Sequence, residues 1–522
     1  MRVLLQGVMA LALVAAYVAQ MLRWLRVLQR EHYEPKSMRR FLGRWSSPPV
    51  GSARAHGRLR DQRPVTPSHV FVLALVVTVV ARLDVAVVAV SALYGILCPR
   101  GLSVRGRTSP LEWTRRLTTV AALAAASSLV VALLGTLTPR PWLLAVAMVW
   151  AVPVVLDLSA RVLAPYERRR SRVFVVRARA RLARVAPRVV AITGSYGKTS
   201  TKHHLADLLR ADGGVVASPR SYNNRAGLSR AINEGLADGT RVFIAEMGTY
   251  GPGEIRDLTS WCVPEVAVAT AVGPVHLERM KTLDVIDAAK FEVTELARTV
   301  VVNIDDLRLA RWPDRLASTG QRVRTVGSVS EAASVRVVLE AGRWTIVVEG
   351  NALGTMDAVL GVQPTNLACA IGAALELGVP AGDLMGRLAE VTPVENRLHV
   401  VSAGSGVVVI DDTFNANPAS ARAALGVLTA LALTGRRVVV TPGLIELGPD
   451  QYRENLSLAK KVAAAGAELV VVGRTNVRSL EAGYQRSLTR FDTREGAVAW
   501  VRSALVAGDG VLYLNDLPDH YP

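Results

Sequence analysis

Residues 188–208 read RVVAITGSYGKTSTKHHLADL and combine three local patterns. RVVAIT is a β-branched apolar run that predicts a buried strand, GSYGKTS predicts a turn, and the following residues predict a helix. A glycine turn between a strand and a helix N-terminus suits a phosphate, because backbone N–H groups and the helix dipole face the anion there. The predicted phosphate-binding residues are Gly194, Ser195, Gly197, Lys198 and Thr199. Lys198 would reach the terminal phosphates, and Thr199 would bind Mg²⁺.

The loop departs from the usual G-x-x-x-x-G-K-[ST] spacing, because Ile192 stands where the first glycine is expected. Taken alone, the stretch is therefore either a shortened variant of the loop or an accident of composition.

The composition of the 522-residue chain favours a membrane protein, since half of its residues are hydrophobic and its formal net charge is +19. Arginines that flank apolar segments typically face a cytoplasmic membrane surface. We expect no nucleic-acid partner, because no basic run is interleaved with aromatic residues. Cys98, Cys262 and Cys369 are scattered, which excludes a disulfide framework and a cysteine zinc site and fits a reducing compartment.

Residues 1–165 are predicted to form a multi-pass transmembrane region of about five spans, or four plus a re-entrant hairpin. Residues 3–22, 117–137 and 142–159 are each apolar and long enough to cross a bilayer. A further apolar stretch is interrupted by Arg82 and Asp84. This stretch would form one long helix, two short passes or a re-entrant hairpin. The distribution of basic residues favours two short passes or a hairpin over one long helix. Arg82 and Asp84 would then lie at a loop tip, the alternative being an intramembrane ion pair.

Basic loops fix the predicted orientation, because cytoplasmic loops are enriched in lysine and arginine. The loop after the first span carries Arg23, Arg26, Arg30, Lys36, Arg39, Arg40, Arg44 and further arginines to Arg63. The next basic loop carries Arg100, Arg105, Arg107, Arg115 and Arg116, and the last span is followed by Arg161 and ERRRSR. The N-terminus would lie outside, and everything after residue 165 in the cytoplasm. The predicted location is the plasma membrane, with cytoplasmic catalytic domains.

From residue 185 onward, short β-branched runs alternate with amphipathic helical stretches, which is typical of a doubly wound α/β fold. We predict a P-loop central domain with a parallel sheet over 166–396 and a Rossmann-like C-terminal domain over 397–522. A dinucleotide site in the second domain is disfavoured, because no G-x-G-x-x-G follows its strands.

Several further motifs follow the loop in a fixed order. They are SYNNRAGLS (221–229), VFIAEMGTYGPGEI (242–255), PVHLERM (274–280), DAAKFEVTEL (287–296), VVVNIDD (300–306), VENRLHV (394–400) and IDDTFNANPASARAAL (410–425). In this order the chain resembles the Mur ligase family, the ATP-dependent amide-forming enzymes of peptidoglycan precursor synthesis. Within the family it is most similar to the members that add D-alanyl-D-alanine. The family's loop is T-G-S-x-G-K-T, which matches residues 193–199 and accounts for the missing glycine.

The resemblance implies a catalytic set and two Mg²⁺ ions. Asn224 would lie close to the phosphates and metal, Glu246 would ligate one Mg²⁺, and His276 would ligate the second. Lys290 would be carbamylated, which turns a neutral amine into a carboxylate-like metal ligand. Lys198, His276 and Lys290 would be the catalytic residues, with Thr199 completing the metal ligands.

The resemblance also implies a nucleotide site. Asn303 would meet the adenine, Arg397 would contact phosphate or ribose, and Asp412 would bind the ribose. Asn415 and Asn417 would line the cleft between the central and C-terminal domains. Considered singly, these residues have ordinary structural explanations, such as a surface charge for Arg397 or an Asx turn for the asparagines. The order of motifs shared with the family favours functional roles instead.

The sequence departs from the family in four places. Membrane segments replace the small domain that grips the uridine diphosphate sugar. The family's histidine–asparagine pair appears as Gln363 and Asn366, and two C-terminal motifs read TPGLIELGPDQYREN and YLNDLPDHYP. These changes leave the ATP chemistry intact and leave the identity of both substrates open.

The resulting prediction is an ATP-dependent amide ligase that works through an acyl phosphate. It would join D-alanyl-D-alanine, or another amino acid or dipeptide, to a small-molecule cell-wall precursor that is UDP-linked or lipid-linked. The implied cofactors are ATP and Mg²⁺, and membrane lipid is the other expected partner. The alternatives are a ligase for another polymer such as poly-γ-glutamate, and a non-catalytic nucleotide-binding scaffold for wall synthesis.

Overall fold

The structure, a computed structural model, describes residues 2–34, 38–39, 41–42, 67–80, 83–99, 102, 104, 110–219, 222–395, 397–414, 416–517 and 521. It divides into two compact units. The first comprises 1–170, 473–478 and 517–522, and the second comprises 171–472 and 479–516. Several sequence predictions concern residues outside the described part, namely Lys36, Arg40, the arginines of 44–63, Arg82, Arg100, Arg105, Arg107 and Asn415.

The first unit is built from helices α1 (Arg2–Arg30), α2 (Pro67–Val80), α3 (Asp84–Leu97), α4 (Arg115–Gly135) and the N-terminal part of α5 (Pro141–Val185). Among the described residues, three helical segments could cross a membrane by length and composition: Val3–Arg30, Arg115–Gly135 and Trp142–Val185. The stretch that contains Asp84 forms two short apolar helices, α2 and α3, and Asp84 is the first residue of α3.

Close approaches of small and aromatic residues hold these helices together. A Cβ at Gly95 of α3 would lie 2.5 Å from the Cβ of Ala16 on α1, so only glycine permits this crossing. The rings of Tyr94 and Trp150 stack with their centroids 3.7 Å apart, which joins α3 to α5.

The second unit begins with a nine-stranded sheet in the order β2-β3-β1-β4-β5-β6-β7-β8-β9. Its strands are β1 (Arg188–Thr193), β2 (Val215–Ala217), β3 (Val242–Glu246), β4 (Val266–Ala269), β5 (Thr299–Asn303), β6 (Arg322–Gly327), β7 (Val335–Glu340), β8 (Arg343–Val348) and β9 (Asn351–Asp357). Neighbouring strands among β1 to β7 all pair in parallel, as the α/β pattern predicts.

The pairs β7–β8 and β8–β9 are antiparallel, so the predicted parallel sheet carries an antiparallel extension. Two-residue turns connect these strands, Ala341-Gly342 and Glu349-Gly350, and all four residues have positive φ between 46° and 79°. Two consecutive positive φ values are the geometry of a type I′ turn, whose twist matches that of a hairpin.

Helices cover both faces of this sheet: α6 (Lys198–Leu208), α7 (Arg225–Gly235), α8 (Glu254–Thr259), α9 (Leu277–Met280), α10 (Leu283–Phe291), α11 (Trp312–Leu316), α12 (Pro364–Glu376) and α13 (Leu384–Leu388). One buried cluster includes α7 and α10, and the other includes α6 and α12. The C-terminal part of α5 joins the first cluster through Val175, Ala178 and Leu182, whose spacing places them on one helix face.

A second sheet follows in the order β10-β11-β15-β12-β13-β14, antiparallel only at β10–β11. Its elements are β10 (His399–Ser402), β11 (Val408–Asp412), α14 (Pro418–Ala430), β12 (Arg437–Thr441), α15 (Gln451–Ala464), β13 (Glu468–Val472), α16 (Val477–Tyr484), β14 (Thr489–Phe491), α17 (Arg494–Ala504) and β15 (Gly510–Leu514). The predicted domain boundary at 396/397 falls between the two sheets.

Candidate functional site

The loop after β1 lies at the carboxyl end of the first sheet, where β1 is flanked by β3 and β4. Such a position, where successive connections leave in opposite directions, is the usual ligand site of a doubly wound sheet. Ser195 fixes the loop to the segment after β4: its N–H donates to the carbonyl of Ala271 at 2.7 Å, and its hydroxyl accepts from the N–H of Gly273 at 2.9 Å.

Gly197 is required by the geometry of this loop. Its φ is +80°, and it directly precedes the first residue of α6. A Cβ there would lie 2.2 Å from Oδ1 of Asn366, so the amide of α12 packs against the glycine. At Gly194, a Cβ would lie 2.0 Å from Oγ1 of Thr270. The two glycines therefore allow the loop to lie close against Thr270 and Asn366.

Glu246, the last residue of β3, is the centre of a buried polar network beside the loop. Its Oε2 accepts from the hydroxyl of Thr199 and from Nζ of Lys202, both at 3.0 Å. Its Oε1 accepts from Nδ2 of Asn223 at 3.4 Å. Nζ of Lys198 donates to the carbonyl of Gly194 at 2.7 Å. A threonine hydroxyl and a carboxylate are thus adjacent at the end of the loop, and both are ligands that Mg²⁺ accepts.

The lysines keep this carboxylate charged. Burial disfavours the ionised form of Glu246, but the charges of Lys202 and Lys198 outweigh burial and lower its pKa. Burial lowers the pKa of Lys198, an effect that Glu246 opposes and that Arg397 and Lys202 reinforce.

Lys290 lies near the C-terminal end of α10, with only 5% of its surface exposed. Burial, with a contribution from the charge of Lys198, lowers its pKa well below 10.5. The charges of Lys290 and Lys198, the first residue of α6, therefore interact. A lowered pKa increases the fraction of neutral amine, and this is the form that reacts with CO₂.

His276 contacts the C-terminal sheet's loops rather than Glu246. Its Nδ1 hydrogen-bonds to Oε2 of Glu446, and its ring packs edge-on against Tyr250 with the centroids 4.8 Å apart. His276 and Glu446 have φ of +60° and +62°, uncommon for non-glycine residues and often found at functional sites. Within the described part of the chain, no three His, Cys, Asp or Glu side chains are grouped closely enough to hold a metal ion.

Asp412 and Arg397 form the part of the site contributed by the C-terminal domain. Oδ1 of Asp412 accepts from the N–H of Leu398 at 3.2 Å, and its Oδ2 is buried with no hydrogen-bond partner among the described residues. Burial raises the pKa of Asp412, partly offset by the charge of Arg397. The Arg397 guanidinium lies 4.8 Å from the centre of the Phe414 ring. A buried acceptor without a donor fits a ligand hydroxyl.

Three predicted asparagines make local structural contacts. Oδ1 of Asn224 accepts from the N–H of Gly227 and caps α7. The Asn303 amide donates to the carbonyl of Thr270 at 2.9 Å. Asn417 forms a capping box with Ser420 at the start of α14. Their predicted contacts with the nucleotide or the cleft remain predictions.

The structure thus brings Thr199, Glu246, Lys198 and Lys290 into one neighbourhood, with Arg397 near Lys198. Lys202, Asn223 and Glu446 also contact the predicted site residues and were not predicted from the sequence. Lys202 lies four residues after Lys198 and therefore on the same face of α6, a periodicity that was visible in the sequence. Glu446 had no local signal, because its contact with His276 depends on the packing of distant segments.

A phosphate-binding loop at the switch point of a largely parallel sheet, with an acidic residue beside its threonine, defines an enzyme of the P-loop class that uses a nucleoside triphosphate. Comparisons with known proteins identify the family. Residues 192–373 match the Mur ligase middle domain, and residues 396–514 match the Mur ligase glutamate ligase domain. The chain belongs to the Mur ligase family of ATP-dependent ligases.

Its relatives include the UDP-N-acetylmuramoyl-tripeptide–D-alanyl-D-alanine ligases of Mycobacterium bovis and Mycobacterium leprae. Both are 32% identical to this chain. The M. bovis match covers 62% of this chain and 69% of the relative, and the M. leprae match covers 55% of this chain and 61% of the relative. The chain therefore spans between three fifths and seven tenths of the length of these two relatives.

Solved structures share the fold. MurF ligase from Thermotoga maritima, in complex with ADP, is 25% identical with a TM-score of 0.58, over 66% of this chain and 80% of that one. MurF from Acinetobacter baumannii is 23% identical with the same TM-score, over 66% and 77% of the two chains, and shows likeness of fold.

Proposed function

We propose that this protein is an ATP-dependent amide ligase of the MurF type, which joins a dipeptide such as D-alanyl-D-alanine to the carboxylate of a peptidoglycan precursor. The observation that supports this most strongly is the buried network of Thr199, Glu246 and Lys202 beside the phosphate-binding loop, with the lowered pKa of Lys290 close by. The mycobacterial relatives carry the name of this reaction.

The reaction has two steps. An oxygen of the precursor carboxylate attacks the γ-phosphorus of ATP, the bond to the β-phosphate oxygen breaks, and ADP leaves. The amine of the dipeptide then attacks the carbonyl carbon of the acyl phosphate, and inorganic phosphate leaves with one oxygen of the original carboxylate. The amine loses a proton as the amide forms, and no serine or cysteine nucleophile is needed.

The residues of this chain bind and orient the phosphates. Lys198 and N–H groups of the loop would bind the terminal phosphates, where charge accumulates during transfer. Arg397 and Asp412 are suited to the sugar-phosphate end of ATP, because the first is a cation and the second has a buried, unpaired acceptor oxygen.

Thr199 and Glu246 fit one Mg²⁺ ion, since they present adjacent oxygen ligands. When bound, Mg²⁺ would neutralise phosphate charge and polarise the transferred group. A second ion requires a further anionic ligand, and a carbamate formed from Lys290 and CO₂ would supply one. His276 would serve this ion if its hydrogen bond to Glu446 gives way.

We further propose that ligation takes place at the cytoplasmic face of the plasma membrane. The three helical segments with the length and composition of membrane spans support this location. The two Mur ligase domain matches, residues 192–373 and 396–514, lie after the apolar helices in the chain.

The test is to incubate the detergent-solubilised full-length protein with ATP, UDP-muramyl tripeptide and D-alanyl-D-alanine, and to identify products by mass. The expected result is an amide whose mass equals that of both substrates minus water, formed together with ADP and phosphate. A lipid-linked precursor is the second acceptor. Turnover with glutamate in place of both acceptors would instead indicate polymer synthesis, and nucleotide binding without any product would indicate a scaffold.

A further inference from the structure

A groove of about 770 Å³ lies between the C-terminal part of α5 and helix α7. Among the described residues, five arginines line it, and Glu234 is the one acidic residue. Arg177, Arg181 and Arg184 come from α5, and Arg225 and Arg230 come from α7. We call it the arginine groove. Its volume is within the range of small-molecule binding sites.

The walls of the groove are fixed by contacts between the two helices. Nδ2 of Asn233 on α7 donates to the carbonyl of Phe174 on α5 at 2.9 Å. Nε of Arg181 donates to the carbonyl of Leu236, just after α7, at 2.7 Å. Val175 and Leu182 are buried in the same core cluster as Leu228. The groove is therefore held open by packing that exists without a ligand.

Carboxylates compensate only part of its positive charge. Arg230 pairs with Glu234 at 2.9 Å, Arg225 with Asp257 at 2.5 Å, and Arg184 with Asp238 at 3.3 Å. Arg181 contacts a backbone carbonyl, which carries no full charge. Arg177 has no hydrogen bond or ion pair with any residue that the structure describes.

The groove starts next to the nucleotide site. Asn223, which donates to Glu246, is two residues before Arg225, whose Nε is buried without a hydrogen-bond partner among the described residues. The 11 residues of α7 extend from there for about 16 Å along the groove. A ligand with a carboxylate beside Glu246 could therefore place a second anionic group among the arginines.

We propose that the arginine groove binds the phosphate or diphosphate group of the acceptor, at a distance on the order of 15 Å from the carboxylate that is activated. This inference rests on the proposed ligase function, because it assigns a subsite to the same acceptor. The diphosphate could belong to a soluble nucleoside diphosphate or to a polyprenyl lipid, and both present the same chemistry to arginine.

The test measures binding to the full-length protein in detergent, with a non-hydrolysable ATP analogue saturating the phosphate-binding loop. The probes are uridine diphosphate in solution and a polyprenyl diphosphate in mixed micelles. Arg177→Glu should weaken binding of one of them about tenfold or more, because a charge-assisted contact is replaced by repulsion. The probe that responds identifies the source of the phosphate. Arg184→Glu is a second groove variant in case the first does not fold.

Arg177→Lys, which keeps the charge, and Arg179→Glu, which makes the same charge change outside the groove, are the matched controls. Both should bind as the wild type does. Equal weakening in Arg177→Glu and Arg179→Glu, or binding of neither probe, would overturn the proposal. Binding that depends on Arg177 without amide formation refutes the ligase function alone. Amide formation with an unchanged acceptor KM in Arg177→Glu refutes the groove alone.

Discussion

Glu246 shows how single residues prepare the site before a ligand arrives. Thr199, Lys202 and Asn223 all contact its carboxylate, and Lys198 and Lys202 keep its pKa low. A Mg²⁺ ion must therefore share this carboxylate with Lys202 or displace its ammonium group. The cost of burying the carboxylate is offset in advance by the lysines.

The carbamate role of Lys290 predicts that Lys290→Ala lowers the ligation rate by a factor on the order of 100 or more, because a metal ligand is lost. Short carboxylates such as formate or acetate should restore part of the rate. Lys290→Arg, whose guanidinium cannot form a carbamate, is the control and should remain inactive. Normal ligation by Lys290→Ala would remove this role.

Lys290 also predicts a pH dependence of stability. Its pKa is lower in the folded state than the value of 10.5 for a free lysine, so the unfolded state binds more protons between the two values. Stability therefore rises with pH across this window, and burial of Lys290 costs stability at neutral pH. In CO₂-depleted buffer, Lys290→Met should unfold at a higher temperature than the wild type at pH 7, by roughly 2–4 °C for each kcal/mol regained. The difference in unfolding temperature between the variant and the wild type should shrink towards pH 10. A variant that unfolds at a lower temperature than the wild type at every pH would contradict the prediction.

Gly197→Ala should strongly weaken binding of an ATP analogue. The left-handed conformation alone costs about 1–2 kcal/mol for a residue with a Cβ, and the added atom would meet the Asn366 side chain. Equilibrium titration with the analogue measures the effect. Gly251→Ala is the matched control, since a Cβ there meets nothing within 4 Å, and its affinity should be unchanged.

The loop residues were predictable because their chemistry is local. Gly197, Lys198 and Thr199 are consecutive, and the spacing of the glycines indicates the backbone conformation of the loop. The contacts of Glu246 and His276 were not predictable from the sequence. Asn223 and Glu446 are distant from them in the chain and contact them only through tertiary packing. The resemblance to the Mur ligase family predicted that Asn224 lies close to the phosphates and metal. Its neighbour Asn223 is the residue that contacts Glu246.

At the scale of elements, two neighbouring asparagines precede α7 and make different contacts. Asn224 caps the helix, so Asn224→Ala should lower the free energy of unfolding by about 1 kcal/mol, while Asn224→Ser keeps the cap and most of the stability. Denaturant titration in detergent measures both variants. Asn223→Ala should instead reduce ligation with little loss of stability. A reversed pattern would show that Asn224 is the ligand-binding residue.

The main strands were predictable from β-branched runs such as RVVAIT and VVVNIDD, which became β1 and β5. The hairpins after β7 were not predicted. Their turns use Ala341 and Glu349 at positive φ, where a hairpin sequence more often has asparagine or aspartate. The break between α2 and α3 was predictable, because Arg82 and Asp84 interrupt an apolar run.

At the scale of the whole molecule, the apolar helices predict that the protein stays with the membrane. After cell fractionation it should remain in the membrane pellet through a wash with alkaline carbonate and dissolve only in detergent. A reporter fused to the C-terminus should be active only in the cytoplasm. Release by carbonate would contradict the multi-pass prediction.

Oxygen transfer from the acceptor to phosphate shows whether ATP activates a carboxylate for amide formation. The acceptor is prepared with its reactive carboxylate labelled with ¹⁸O and incubated with ATP and D-alanyl-D-alanine. The released inorganic phosphate should carry one ¹⁸O atom for each amide formed, because the acyl phosphate gives up one carboxylate oxygen. Phosphate released without label would contradict the account, since ATP would then be hydrolysed by water and no acyl phosphate would form.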